Sequence, residues 1–363
     1  MKSKTKRPVQ FELTENTRDS AANWVVSPEM IGCGEPPRVC VGFGRESLFF
    51  HHFHLSHASG HRSTPDAWTG QLNLPKTIAL AVFEDGVALQ TPISKMPGVQ
   101  RARGCLSVSA GFEQTRGSHL RTLREEGSYR AIFPRPQHGN LEAVIINTAG
   151  GVTGGDQFST TISANEKARI SVTTQAAERI YRAAGSDAGQ IKTTLTVATK
   201  AQLCWLPQET ILFDGCRLER SLAVDVAPRA AFLMLEPLVF GRAASGENLN
   251  SCSLQDSVTI TCRGQPLYHD RIKMDGDLAE RLSRNAVANN ARAMASLVMV
   301  DVAARERLSA CRKLLPQTAG ASALSENVIV MRFLAKDSFA LRGAILPILK
   351  LLTDDAVPKN WRL

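Results

Sequence analysis

The chain has 363 residues, of which 43% are hydrophobic and 21% charged, so it can bury a large core and has the ordinary composition of a soluble globular protein. Its formal net charge is +9, but aromatic residues make up only 6% and the arginines are dispersed, which argues against a nucleic-acid binder and favours a basic surface for an acidic protein partner. No apolar run approaches the roughly 20 residues that span a bilayer, and no apolar signal core follows the basic N-terminus, which argues against membrane insertion and secretion.

The eight cysteines are scattered along the chain, and none forms a Cys-x-x-Cys pair. In a chain of this length, such dispersion predicts reduced, mostly buried thiols in a cytosolic protein. They stand at positions 33, 40, 105, 204, 216, 252, 262 and 311.

The first hundred residues differ from the rest of the chain, with a boundary near Met96–Arg103. They mix polar stretches, prolines and short apolar runs without a sustained period. Five of the eight histidines fall in one short piece of this segment: His51, His52, His54, His57 and His61.

From about Leu106 onward, short β-like runs follow one another with turn residues between them. In one run, Ile191, Thr193 and Leu195 share one face while the intervening residues point away. No amphipathic helix separates the runs, so the pattern favours an all-β sandwich, barrel or solenoid over βαβ units. The predicted strands lie at 141–148, 156–164, 168–176, 189–199, 201–207, 220–227, 230–240 and 256–264.

Helical signals come late in the chain. Asp301 is a candidate N-cap for one of these helices, and Pro347 is expected to kink or shorten the last one. The predicted helices lie at 277–297, 301–315 and 337–352, with a strand at 326–335.

The stretch "IINTAGGVTGGDQFS" (145–159) contains the glycines Gly150, Gly151, Gly154 and Gly155. It is neither a Walker loop nor a dinucleotide fingerprint, because Asp156 follows the last glycine and the next residues continue as a strand, not a helix. The glycines are interpreted as a tight turn that needs positive φ angles. Asp156 either caps this turn or offers a carboxylate to a cation, and the pattern favours the turn.

Other stretches place charged residues in apolar surroundings. Arg242 is expected to pair with Glu247 and Glu236. No Ser-His-Asp or Cys-His arrangement can be assembled, whereas a pair of carboxylates such as Asp156 and Glu209 leaves a hydrolase open as an alternative. The stretches are "TTQAAERIYRAAG" (173–185), "WLPQETILFDGCRL" (205–218), "EPLVFGRAASGE" (236–247) and "YHDRIKMDGD" (268–277).

Four ordered blocks, "NTAGGVTGGDQ", "TTQAAERIYRA", "WLPQETILFDGCRL" and "FGRAASGE", together with the terminal "VPKNWRL", resemble the urease accessory protein UreD family, called UreH in some organisms. The resemblance runs from about residue 103 to the end, so 103–363 is interpreted as a UreD-like domain. It implies a mostly β, elongated, β-helix-like fold of many short strands, with a few helices toward the C-terminus.

The resemblance also implies a function. It implies a cytoplasmic urease maturation scaffold without catalysis of its own, which binds UreF-type and UreG-type accessory proteins and docks on the apo-urease subunits. No cofactor is expected to be bound permanently; Ni²⁺ would be in transit through an internal passage to the urease active site. No nucleic acid or membrane is expected as a partner.

Site residues follow from the resemblance, motif by motif. Asp156 and Asp270 are expected along the nickel passage, with Glu209 and Glu247 as weaker candidates, because carboxylate oxygens hold Ni²⁺ more loosely than nitrogen or sulfur does. The remaining motif residues are expected to order loops or contact partners: Gly150, Gly151, Gly154, Gly155, Arg182 and Arg242.

The chain departs from the family pattern in two places. Many members have His-Pro-Pro before the glycines, where this chain has Asn147, Thr148 and Ala149, so no metal role is expected there. Residues 1–102 resemble nothing in the family and are interpreted as an extension of uncertain order, with Met96 as an alternative start of translation. The histidines between 51 and 61 could bind Ni²⁺, but their irregular spacing favours chance composition.

Overall fold

The computed structural model of the protein describes residues 100–135, 139–242 and 245–362, together with the backbone of two short antiparallel strands, Val82–Phe83 (β1) and Gly86–Val87 (β2). The chain divides into two units between Gln100 and Arg101, and the fold described below is that of the second unit. The histidine cluster at 51–61 and Met96 lie outside the described residues, so the predictions made for them stay predictions.

Two β-sheets make up the described part of the second unit. The first sheet consists of Arg103–Glu113 (β3), Gly117–Gly127 (β4), Gln157–Ala164 (β7), Gly189–Val197 (β10), Arg217–Val226 (β13), Cys252–Cys262 (β15) and Gln265–Gly276 (β16). The second consists of Tyr129–Ile132 (β5), Leu141–Asn147 (β6), Arg169–Thr174 (β8), Glu178–Ile180 (β9), Gln202–Trp205 (β11), Thr210–Leu212 (β12), Ala231–Phe240 (β14), Ala293–Val300 (β17), Ala319–Ser325 (β18) and Val328–Ala335 (β19).

The chain passes repeatedly from one sheet to the other, so that β7 is followed by β8, β10 by β11 and β13 by β14. Strands of successive coils pair in parallel: Ile162 lies beside Leu195, and Leu195 lies beside Val224. The result is a β-solenoid of about four turns. Antiparallel strands β4 and β16 end the first sheet, and β17, β19 and β18 extend the second. The predicted β-helix-like fold is confirmed.

The core lies between the two sheets, where inward side chains of successive coils stack. Ile162, Leu195, Val224 and Ile260 are all buried and occupy matching positions of β7, β10, β13 and β15. The predicted alternation in β10 is confirmed, since the odd-numbered residues face inward and the even-numbered ones are exposed. Of the cysteines in the described ranges, four are buried, as predicted: Cys204, Cys216, Cys252 and Cys311.

Four helices are described: Leu278–Ser283 (α1), Ala304–Leu314 (α2), Ser338–Leu352 (α3) and Lys359–Arg362 (α4). The prediction of one helix over 277–297 is wrong beyond α1, because residues from 293 onward form β17. Every residue of β17 is buried, since solenoid core covers one face of this strand and helix α3 packs on the other. A strand buried on both faces shows no alternation and reads like a helix in sequence.

Of the two alternatives predicted for Pro347, an early end of the last helix is wrong, because α3 continues to Leu352, and the kink stays a prediction. A proline inside a helix costs about 3 kcal/mol. Against this, Leu341, Ile345 and Ile348 are buried in the layer between α3 and the second sheet, and each such burial contributes about 1.5–3 kcal/mol. Packing therefore outweighs the local preference.

Among the described residues, no helix combines the length and the apolar character needed to cross a bilayer.

The aliphatic stack makes a direct prediction about stability. Leu195→Ala should lower the free energy of unfolding by about 2–5 kcal/mol, because Leu195 is fully buried between its neighbours on adjacent coils. Thr196→Ala, on the exposed face of the same strand, should change it by less than about 0.5 kcal/mol. Urea denaturation followed by circular dichroism measures both. Equal effects of the two substitutions would contradict the assignment of the inward face.

Candidate functional site

Asp156 lies at the end of the glycine-rich loop and is 4% exposed. Its Oδ1 accepts a hydrogen bond from the backbone N–H of Ala102 at 2.8 Å, and its Oδ2 accepts one from Thr153 at 2.8 Å. Both carboxylate oxygens therefore accept hydrogen bonds from backbone N–H groups. Oδ2 closes the turn, and Oδ1 connects the turn to the start of β3. This is the capping role that the sequence favoured over a ligand role.

The glycines allow this loop to lie against the next coil. A Cβ on Gly151 would lie 2.3 Å from the Tyr181 ring, and one on Gly154 would lie 2.4 Å from the carbonyl oxygen of Asp187. Gly150 and Gly155 adopt φ angles of +78° and +86°, within the left-handed region. All four predicted glycines thus meet a steric demand of the turn.

Five residues lie close together and are called the loop-face cluster. They are the predicted Arg182, Arg242 and Glu247, with Phe213 and Asp214, which the sequence did not single out as partners. Arg182 forms an ion pair with Asp214, and Arg242 forms one with Glu247 at 3.1 Å while its guanidinium lies 4.4 Å from the centre of the Phe213 ring. The backbone N–H of Asp214 donates to Glu247 at 3.2 Å, which joins the two pairs. The expected pairing of Arg242 with Glu236 is wrong, since Glu236 lies in the solenoid interior.

The two acids of the loop-face cluster are stabilised as carboxylates. Burial alone would raise the pKa of Asp214, but the backbone N–H groups of Ser251 and Asn250, together with Arg182, hold that pKa below its ordinary value. Burial likewise opposes ionisation of Glu247, but hydrogen bonds from Arg242 outweigh the effect of burial and lower the pKa of Glu247. The cluster therefore orders two loops and leaves both arginines largely exposed.

Glu209 and Asp270 lie in separate contacts that attach C-terminal elements to the solenoid. Glu209 is buried and pairs at 3.3 Å with Arg342 of α3, whose guanidinium stacks 4.6 Å from the ring centre of Trp361. Asp270 on β16 pairs at 2.6 Å with Arg332 on β19, which links an edge strand of the first sheet to the second sheet. Each acid is thus partnered by one arginine.

The predicted acids are therefore not brought together as a ligand set. Asp156 and Glu209 belong to different hydrogen-bond networks, so the geometry gives no support to a hydrolase that uses them as a pair. Within the described ranges, no three His, Cys, Asp or Glu side chains are grouped so that they could hold a metal ion. The transient nickel roles of Asp156, Asp270, Glu209 and Glu247 stay predictions.

A buried ionic cluster of Arg220, Glu236 and Asp256 lies between the two sheets. Arg220 binds Asp256 through two hydrogen bonds, of 3.0 and 2.6 Å, and its Nη1 donates to Glu236 at 2.6 Å. Trp205 Nε1 donates to the other Glu236 oxygen at 2.6 Å, and Thr210 accepts from Arg220 at 3.2 Å. The three charged side chains are each less than 10% exposed.

This ionic cluster carries two acids and one base. Burial raises the pKa of Glu236, although Arg220 opposes that shift. Burial disfavours the charge on Arg220, but Asp256 and Glu236 outweigh it and raise the Arg220 pKa. With both acids ionised the cluster has one negative charge in excess, so it favours a nearby cation.

A family model described as UreD urease accessory protein matches residues 102–362. A Ruegeria pomeroyi protein named Urease accessory protein UreD is 47% identical over 246 residues, which cover 68% of this chain and 96% of the relative. A protein of the same name from Roseobacter denitrificans is 44% identical over 247 residues, which cover 68% of this chain and 90% of the relative. Another from Rhodopseudomonas palustris is 38% identical over 277 residues, which cover 75% of this chain and 98% of the relative.

The chain belongs to the UreD family of urease accessory proteins. The prediction made from the four sequence blocks is confirmed, and the chain has a role in urease maturation. The family name points to an accessory role and not to catalysis.

The ionic cluster was missed in sequence because its members lie far apart along the chain. A signal was nonetheless present. Arg220 shares the inward phase of β13 with Leu218 and Leu222, and Asp256 shares that of β15 with Leu254. A charged residue in the apolar phase of a strand predicts a buried, partnered charge.

Removal of the only base from the ionic cluster should be costly. Arg220→Met leaves two buried carboxylates without their partner and should lower the free energy of unfolding by about 3–5 kcal/mol. Arg124→Ala breaks an exposed ion pair with Glu126 and should cost less than about 1 kcal/mol. Guanidinium denaturation of both variants provides the measurement. A small effect of Arg220→Met would mean that the cluster adds little to stability.

Glu178 predicts a pH dependence of stability. It accepts hydrogen bonds from Asn147 Nδ2 at 3.1 and 3.2 Å, but burial outweighs them and raises its pKa to about 7. The folded state therefore binds more protons than the unfolded state between the ordinary glutamate pKa and about pH 7, so this group favours folding at low pH and loses that contribution as the pH rises through 7.

The test of this pH dependence is Glu178→Gln. Above pH 7 the variant should be more stable than the parent chain, because only the parent then has to ionise a buried carboxyl. Below the ordinary glutamate range that carboxyl is protonated in both the folded and the unfolded parent, so the difference should vanish. Unfolding free energies measured from pH 4 to 8 follow the difference. A stability difference that does not change with pH would contradict the raised pKa.

Proposed function

We propose that this chain is a non-catalytic cytoplasmic scaffold that, with UreF-type and UreG-type proteins, docks on apo-urease and assists delivery of Ni²⁺ to its active site. Membership of the UreD family supports the urease part of this proposal. Ni²⁺ is treated as cargo in transit, not as a cofactor that the chain keeps. Membrane and nucleic-acid partners form no part of the proposal.

The observation that carries the nickel part is the buried ionic cluster. A divalent cation that leaves water needs oxygen ligands and negative charge to offset lost hydration. Glu236 and Asp256 supply both inside the solenoid, where Arg220 neutralises only one of them. Carboxylate oxygens bind Ni²⁺ less firmly than nitrogen or sulfur ligands do, which suits an ion that has to be released.

The four acids predicted from the resemblance have different parts in this proposal. Asp156 is proposed to act through the turn it holds, because both of its oxygens are engaged by backbone N–H groups. Glu209 and Asp270 each contact one arginine, and Glu247 contacts Arg242 and backbone N–H groups, so these three could coordinate the ion only if those contacts exchange.

Docking is proposed to involve the loop-face cluster. Arg182 and Arg242 are both largely exposed, and Tyr181 beside them is 37% exposed and packs edge-on against Phe213. Exposed arginine and tyrosine side chains held in place by their own neighbours are typical of residues that dominate protein interfaces. An ordered face of this kind fits a protein partner.

The experiment is deletion of the coding region followed by complementation. Loss of the chain should leave urease inactive and poor in nickel. Glu236→Gln, which removes the excess charge but keeps an oxygen to accept from Trp205, should restore complex formation yet lower urease activity and nickel content at least about tenfold. Glu219→Gln, an exposed change on β13, should restore both fully.

The outcomes separate the parts of the proposal. Urease that is fully active and nickel-loaded without the chain would overturn the maturation role. Normal nickel content with Glu236→Gln would overturn the role of the ionic cluster while the scaffold role stands. Loss of the accessory complex with Glu236→Gln, seen by co-purification, would make Glu236 a structural residue.

A further inference from the structure

Three cations occupy the same corner of successive coils: Lys167, Lys200 and Arg229, called the basic row. The parallel register places Gln202 beside Arg169 on one side and beside Ala231 on the other. Each cation of the row lies two residues before one of these three aligned residues. All three adopt left-handed backbone, with φ angles of 65°, 61° and 62°. The row is therefore a product of the solenoid repeat.

The turn itself does not call for cations. Positive φ is strained for side chains with a Cβ, and glycine or asparagine adopts it at lower cost. Neighbouring coils are about 4.8 Å apart at the backbone, so like charges at one corner repel each other unless their side chains diverge. The basic row thus combines two local costs, backbone strain and charge repulsion. Glycine or asparagine at these positions would reduce the strain and remove the repulsion.

A cavity of about 300 Å³ lies beside the basic row. Its lining is mostly polar and includes Lys200, Arg229 and Arg169. Two acids also line the cavity, fewer than the cations there: Asp354 pairs with Arg307 at 3.1 Å, and Asp301 accepts the backbone N–H of Ala303 at 2.8 Å without an ion-pair partner among the described residues.

The charge of this corner is not neutralised by the described chain. Across residues 100–135, 139–242 and 245–362, no acid forms an ion pair with Lys167, Arg169, Lys200 or Arg229, and all four are exposed. Four exposed cations at one corner, three of which line the cavity, form a surface that complements negative charge.

We infer that this corner is the docking site for an acidic, extended segment of a protein partner, whose carboxylates contact the basic row beside the cavity. The row extends over two coil spacings, about 10 Å, and alternate residues of an extended chain lie about 6.6 Å apart, so two carboxylates can reach it at once. A row of cations of this length favours an extended polypeptide over a small anion, which could contact only one or two of them. This inference does not depend on the proposed nickel role.

The test uses the full-length chain and a fluorescein-labelled peptide of alternating glutamate and leucine, with affinity measured by fluorescence anisotropy. Lys200→Asn with Arg229→Asn should weaken binding at least about tenfold, because two charges leave the row. Since asparagine tolerates left-handed backbone, the thermal unfolding midpoint should stay equal or rise, which separates lost binding from lost folding. Binding by the parent chain should weaken as salt is added.

A matched control removes the same charge elsewhere. Lys192→Thr with Lys273→Thr, exposed positions on the first sheet, should leave affinity within about twofold of the parent. An equal loss in this control, or no loss in the asparagine variant, would overturn the inference. So would displacement of the peptide by equimolar tripolyphosphate, which would indicate a small-anion site, or tighter binding of single-stranded oligothymidylate, which would indicate nucleic acid.

Discussion

The parallel register between coils is the constraint on which the other features of this structure depend. Because equivalent strands pair residue by residue, any side chain is stacked on the one at the matching position of the next coil. Aliphatic residues at inward positions give the continuous core that includes Leu195 and Val224. A charged residue at an inward position must find its partner in that stack or on the facing sheet. Arg220 does both, since its register partner is Asp256 and Glu236 faces it from β14.

Much of the fold could be predicted because the local pattern and the three-dimensional contacts agree in the coils. The alternation in β10 identifies its buried face, and turn residues mark where the chain changes sheet. The pattern failed at β17, where solenoid core and helix α3 bury both faces and remove the alternation. The early helix end expected at Pro347 also failed, because burial of the apolar face of α3 outweighs a local penalty. Both errors lie where tertiary packing decides.

The candidate site could be predicted less well, because sequence identifies chemical groups but not their partners. Glu209 and Asp270 were recognised as acids of interest, but the arginines that engage them lie 133 and 62 positions further along the chain. Asp156 is the contrasting case. One of its two hydrogen bonds spans three residues, so turn chemistry alone pointed to the capping role. Local contacts could be read from sequence, and distant ones could not.

The same repeat separates charge of opposite sign between the inside and the outside of the solenoid. Inside, Glu236 and Asp256 outnumber Arg220, and little water screens the excess. Outside, the corner that turns Lys200 and Arg229 toward solvent carries uncompensated positive charge. An interior that favours cations and a corner that favours anions are compatible because they consist of different residues, so each can be substituted without the other. For the proposed tasks of holding an acidic protein and releasing a metal ion, that independence matters: if one set of charges served both, partner binding would compete directly with the ion.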